Sequence, residues 1–97
     1  MRTLIYHPIA DEQKARLLQK YPATQDFFSK LEADIQQYPE FGSIENIPYG
    51  KTKILPCYKR LAAVELFSGR VVYSLKQLTL YYVYNDNNAA IMRVSLG

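Results

Sequence analysis

Arginine, lysine and tyrosine are the side chains in this sequence whose types and spacing allow chemistry. Arg70 and Arg93 sit in two alternating runs, RVVYSL and AIMRVSLG, and Tyr81 lies between them in LTLYYVY. Lys59 and Arg60 are adjacent, Lys51 and Lys53 come shortly before them, and Lys76 comes after. A guanidinium fork binds phosphate oxygens in pairs and stabilises the charge that grows on a pentacoordinate phosphorus. A lysine or tyrosine can move a proton if cationic neighbours lower its pKa. These groups suffice for cleavage of RNA by its own 2′-hydroxyl, with no metal and no cofactor. Tyr81 could instead stack on a base, which is binding and not catalysis. Tyr73, Tyr82 and Tyr84 read as core-edge residues with bonded hydroxyls.

Other chemistries have no visible seat. There is no GxxxxGK[ST], GxGxxG or HExxH, and no spacing that pairs metal ligands. His7, the single histidine, ends a strand before Pro8, where a structural hydrogen bond outweighs catalysis. Cys57 is the single cysteine, so no intramolecular disulfide forms, and its nearest histidine in sequence is distant. Glu65 has no evident carboxylate mate. A reducing cytoplasm is the expected home, because the start MRTLIYHPIADEQK lacks the apolar run of a signal peptide and no stretch approaches a membrane span.

Charge is unevenly spread over the 97 residues. Residues 1–49 carry five basic and seven acidic side chains, a balance of −2; residues 50–97 carry seven and two, a balance of +5. The second half is a basic surface suited to a polyanion, RNA or DNA first and an acidic protein second. With 48% hydrophobic and 22% charged residues, the chain has the composition of one folded domain, 1–97, with no linker or repeat to divide it.

The elements that must position these groups follow from pattern. RTLIYH reads as a short strand. Pro8 to about Lys20 reads as a helix, with Ala10, Leu17, Leu18 and Tyr21 on one face, Asp11 and Glu12 at its positive end, and Pro22 as the break. A second helix, capped by Thr24, carries Phe27, Leu31 and Ile35 with Phe28 beside them, and Pro39 ends it. The two form a hairpin that needs a sheet. Residues 41–60, with two prolines and two glycines, read as an ordered loop with one short strand around Lys53 to Leu55. LAAVELF fits either a strand or a helical turn. The rest reads as a three-strand meander: Arg70 to Leu75, a turn at Lys76-Gln77, Leu78 to Tyr84, a loop at Asn85–Asn88, and Ala89 to Gly97. Its final run sets Ala90, Met92, Val94 and Leu96 toward the helices. Arg70, Ser74, Thr79, Tyr81, Arg93 and Ser95 take the opposite face. The expected class is α+β, an N-terminal strand and helical hairpin packed on a C-terminal antiparallel sheet.

This order of elements resembles the RelE/ParE superfamily of bacterial toxins, and its YafQ-like branch in particular. The local likeness runs through RVVYSLKQLTLYYVYND, where that branch has an Arg-bearing strand, a turn and an apolar strand, and through IMRVSLG, similar to the family's last strand and glycine. The resemblance implies a ribosome-dependent mRNA endonuclease that uses no metal and is held inactive by an acidic antitoxin protein. By position, Arg70 matches the strand arginine; Lys59 and Arg60 fall near a family histidine, Tyr73 near another, and Gln77 near an aspartate. None of those histidines is present, so the implied chemistry is that of Lys, Arg and Tyr. Arg70, Arg93 and Tyr81 are the candidate catalytic set, and Lys59, Arg60, Lys51, Lys53 and Lys76 the candidate RNA contacts. In the family a short tail after the final glycine supplies a catalytic side chain, whereas this sequence ends at Gly97. That favours, as alternatives, a ParE-like toxin that binds DNA gyrase without catalysis, or a non-toxic basic domain that binds a protein.

Overall fold

A computed structural model describes residues 1–68 and 72–97, and the side chains outside 67–74. Thr3–Tyr6 forms β1 and Pro8–Lys20 forms α1. His7 joins them. Its Nδ1 accepts from the Ile9 N–H at 3.3 Å, while Pro8 takes a first-turn position where a missing N–H costs nothing. A 3₁₀ turn at Pro22–Thr24 leads into α2, Gln25–Gln37. Thr24 precedes α2 as expected, but its hydroxyl donates backward to the Tyr21 carbonyl at 2.7 Å instead of capping the helix. Lys14 of α1 and Glu32 of α2 meet at 2.7 Å, and the Tyr6 hydroxyl donates to the same carboxylate at 2.6 Å, so one acid ties both helices to the first strand.

After a second 3₁₀ turn at Pro39–Phe41 come β2 (Ser43–Tyr49), β3 (Lys53–Ser68), β4 (Val72–Tyr84) and β5 (Asn88–Leu96). They form one five-stranded sheet in the order β1-β5-β4-β3-β2. β1 runs parallel to β5 and the other pairs are antiparallel, so the architecture is α+β on a mixed sheet and not a purely antiparallel one.

Three expectations are corrected. Residues 43–49 and 53–68 are strands where a loop with one short strand was expected. The prolines that argue for a loop sit where a strand tolerates them: Pro48 lies on the edge strand β2, and Pro56 precedes Tyr58, where pairing with β4 begins. LAAVELF is accordingly strand. Lys76-Gln77 is not a turn but lies inside β4 opposite Val64 and Ala63, and Gln77 exchanges two backbone hydrogen bonds with Gly97. With no glycine or asparagine to supply a positive φ, two polar residues do not reverse a strand. The meander is therefore β3-β4-β5.

The core forms where the helices cover one sheet face. Phe28, Leu31 and Ile35 of α2 and Ala10 of α1 pack on Val64, Leu66, Leu78, Leu80, Tyr82, Ala89, Ile91 and Val94. The α2 stripe is centred on Phe28, and Phe27 is only half-buried at its margin. Tyr82 is fully buried and its hydroxyl donates to the Pro39 carbonyl at 2.5 Å, an arrangement that leaves no room for a side chain at Gly42. No helix among the described residues is long and apolar enough to cross a membrane.

The sheet is strongly curled. β1 and β2 are its two edges, and in a flat five-stranded sheet they would lie about 19 Å apart. Yet the rings of His7, just after β1, and Tyr49, at the end of β2, meet edge-on with centroids 6.2 Å apart. Cys57 and Ile47 are almost wholly buried without belonging to the helix-side core, which places them in the hollow of this curl.

Candidate phosphate-handling face

Strand parity decides which side chains enter the hollow. Along β3 the even-numbered Tyr58, Ala62, Val64 and Leu66 pack with the helical core, which sends Cys57, Lys59 and Leu61 to the other face. Along β4, Leu78, Leu80 and Tyr82 are core residues and Tyr81 faces away. β5 would break the pattern without an irregularity, because Ile91 and Arg93 are two residues apart and a regular strand would put both in the core. The register shifts between Tyr81↔Arg93 and Tyr82↔Ile91, so Met92 is an extra residue. This β-bulge lets Ile91 stay in the core while Arg93 turns to the far side. It also corrects the expected inward set of β5: Ala89, Ile91 and Val94 are buried against the helices, whereas Ala90 and Met92 are not among the core residues.

The result is a row across neighbouring strands. Lys59 lies directly opposite Tyr81, and Tyr81 directly opposite Arg93. Glu45 of β2 sits opposite Cys57, one diagonal from Lys59, and accepts from the Lys59 ammonium at 3.1 Å. Lys59 and then the Tyr81 hydroxyl, both donating to Glu45, hold its carboxyl below the ordinary carboxylate range. Burial first and the Glu45 carboxylate second push the Tyr81 phenol above its usual value, against the pull of Lys59 and Arg93. Burial likewise raises the Cys57 thiol, which Arg93 only partly offsets, so this cysteine stays a thiol near neutrality and not a nucleophile. Arg93 has no salt-bridge partner among the described residues. Its charge is available to a ligand.

Of the residues singled out in the sequence, Arg93, Tyr81 and Lys59 are thus brought together. Arg60 is not: it alternates to the helical side, where its guanidinium donates to the Tyr38 carbonyl at 2.7 Å and lies 3.7 Å from the Asp34 carboxylate. Lys53 shares the face of Lys59 but lies six residues, or about 20 Å, along the strand. Lys51 is in the β2-β3 turn, and Lys76 shares the parity of the core residues of β4 at an exposed position. Arg70 lies outside the described residues. Glu45 was missed because its segment reads as loop, and SIENIPY carries no regular apolar alternation to mark it as a strand. Among the described residues, no three of His, Cys, Asp and Glu come together as metal ligands would. No protein-family model, no curated protein and no solved structure matches this chain.

Proposed function

We propose that this chain is the toxin of a toxin–antitoxin pair, with a RelE/ParE-like fold, and that it cuts mRNA on the ribosome by attack of the 2′-hydroxyl on the adjacent phosphorus. The observation that carries this reading is the row Lys59, Tyr81, Arg93 with Glu45 at its end. Two cations flank a tyrosine, and the row's one carboxylate is held ionised. Arg93 and Lys59 hold the non-bridging phosphate oxygens and neutralise the charge that builds there. Glu45 takes the proton from the 2′-oxygen. Tyr81, kept protonated by its surroundings, hands its proton to the departing 5′-oxygen. The P–O5′ bond breaks as the P–O2′ bond forms, leaving a 2′,3′-cyclic phosphate and a 5′-hydroxyl. The basic second half of the chain suits both the ribosome and an acidic antitoxin.

Expression in growing bacteria is expected to stop growth and to yield mRNA fragments ending in 2′,3′-cyclic phosphate, with cleavage in a purified ribosome mixture that persists when the protein is first freed of metal by chelation. Arrest with intact mRNA and damaged DNA would replace this reading with a gyrase-binding one. Normal growth would remove toxicity altogether.

The proton-transfer roles predict a pH profile. Glu45 acts as base only above its lowered pKa, and Tyr81 as acid only below its raised one. The two limbs therefore move apart, and the maximal rate is expected to stay level from about pH 6 to about pH 9. A rate that falls within the window from about pH 6 to about pH 9, as a narrow bell would show in single-turnover cleavage, would assign the proton transfers to other groups.

A further inference from the structure

A cavity of about 420 Å³ opens beside the row, at the end where the curled sheet brings β2 against the start of α1. Arg93 belongs to both the row and the cavity. The apolar walls come from Ile9, Ile47, Pro48 and Met92, and the polar groups are His7, Gln13, Tyr49 and Arg93. A volume within the usual range of about 300–1,000 Å³, mostly apolar walls and a few converging polar groups are the marks of a small-ligand site.

Three of the four polar groups are biased in one sense, while the Tyr49 hydroxyl can either donate or accept. β1 stops opposite Ile91, which leaves the outer edge of β5 unpaired beyond that point, and the Val94 N–H there donates to Gln13 Oε1 at 2.8 Å. That bond fixes the orientation of the amide, so the Gln13 NH₂ remains as a donor. His7 accepts the Ile9 N–H at Nδ1, so its neutral ring carries the proton on Nε2, a second donor. Arg93 adds donors only. A cavity rimmed by donors favours a ligand edge made of acceptors. Among nucleobases the N7/O6 edge of guanine presents two acceptors side by side, whereas adenine places a donor beside N7.

Resting on the proposed RNA-cleaving role of the row, we propose that this cavity is a guanine subsite, seating the base of the nucleotide whose phosphate Arg93 holds. Base selection is then set by Gln13 and His7, positions that touch neither the attacking nor the leaving oxygen.

Guanosine and adenosine, which carry no phosphate, are the probes, titrated into the full chain and followed by backbone amide shifts. Saturable guanosine shifts at Gln13, Met92 and Arg93, with affinity at least about tenfold above adenosine, are expected. In Gln13→Glu one carboxylate oxygen still accepts from Val94 while the donor becomes an acceptor, so the preference is expected to turn toward adenosine. Equal affinities, no saturation at millimolar nucleoside, or an unchanged preference in a folded Gln13→Glu protein would each overturn the subsite. Because nucleosides contain no scissile bond, the two proposals fail separately. Cleavage without guanosine selectivity removes the subsite and leaves the nuclease, and selective guanosine binding without cleavage does the reverse.

Discussion

Arg93→Ala is expected to lower the rate of ribosome-programmed mRNA cleavage about 10²–10³-fold, the usual cost of removing one group that stabilises developing negative charge. The same protein is expected to melt close to the parent, because Arg93 leaves no salt-bridge partner stranded among the described residues. Arg93→Lys keeps the charge but loses the fork, and should recover only part of the rate. Arg60→Ala is the informative contrast. Its guanidinium is engaged with Tyr38 and Asp34 on the helical side, so its loss should cost stability and leave the cleavage step nearly untouched. Measuring initial cleavage rates and thermal midpoints for the three variants separates the cases. Arg93→Ala that cuts at the parent rate would take phosphate handling away from this face.

The largest expected effect on stability belongs to Gly42. Its backbone is extended, which any residue adopts, so the requirement is one of space. A Cβ at this position would overlap the Tyr82 hydroxyl and press on the Lys59 carbonyl and on Tyr58 Cβ, at 3.0 and 3.2 Å. The hydroxyl cannot swing aside cheaply, because Tyr82 is fully buried and bonded to the Pro39 carbonyl. Gly42→Ala is therefore expected to cost about 2–3 kcal/mol in denaturant unfolding, in the range for overpacking a tight site. Tyr82→Phe alone leaves the Pro39 carbonyl without its partner and should cost about 1–2 kcal/mol. The double variant should be less damaging than the sum, since removing the hydroxyl removes the worst overlap. Simple additivity in that cycle would mean that the Lys59 carbonyl and Tyr58 Cβ, and not the hydroxyl, exclude a side chain.

Much of the scaffold can be read from residue order. Pro8, Pro22 and Pro39 mark the helix boundaries because a proline tolerates a first turn and little else in a helix, and the structure places all three in such positions. Parity correctly sends Tyr81 and Arg93 to one face, but for Arg93 the agreement has a different cause. A bulge at Met92 switches the facing of the side chains before it, and Ala89 and Ile91 accordingly fall on the side opposite to the expected one. Alternation cannot reveal an inserted residue, because an apolar side chain fits either side of a curled sheet. β2 and most of β3 were hidden by Pro48 and Pro56, whose tolerance depends on which neighbouring strand has begun or ended, a tertiary fact. Glu45 was lost with them. Lys59 and Arg60 look alike in sequence and part company only when their strand is paired, one joining the row and the other an ion pair beneath the helices.

The bulge, the curl and the cross-strand register together have a consequence for timing. Glu45, Lys59, Tyr81 and Arg93 come from four separate strands, and no two are closer than twelve positions in the chain. Nothing smaller than the paired strands β2 to β5 can gather them, so a polypeptide lacking any one of these four has no complete charged row. On the proposed reading such a chain is harmless while immature and acquires its potency in one step, when the last strand clicks into place.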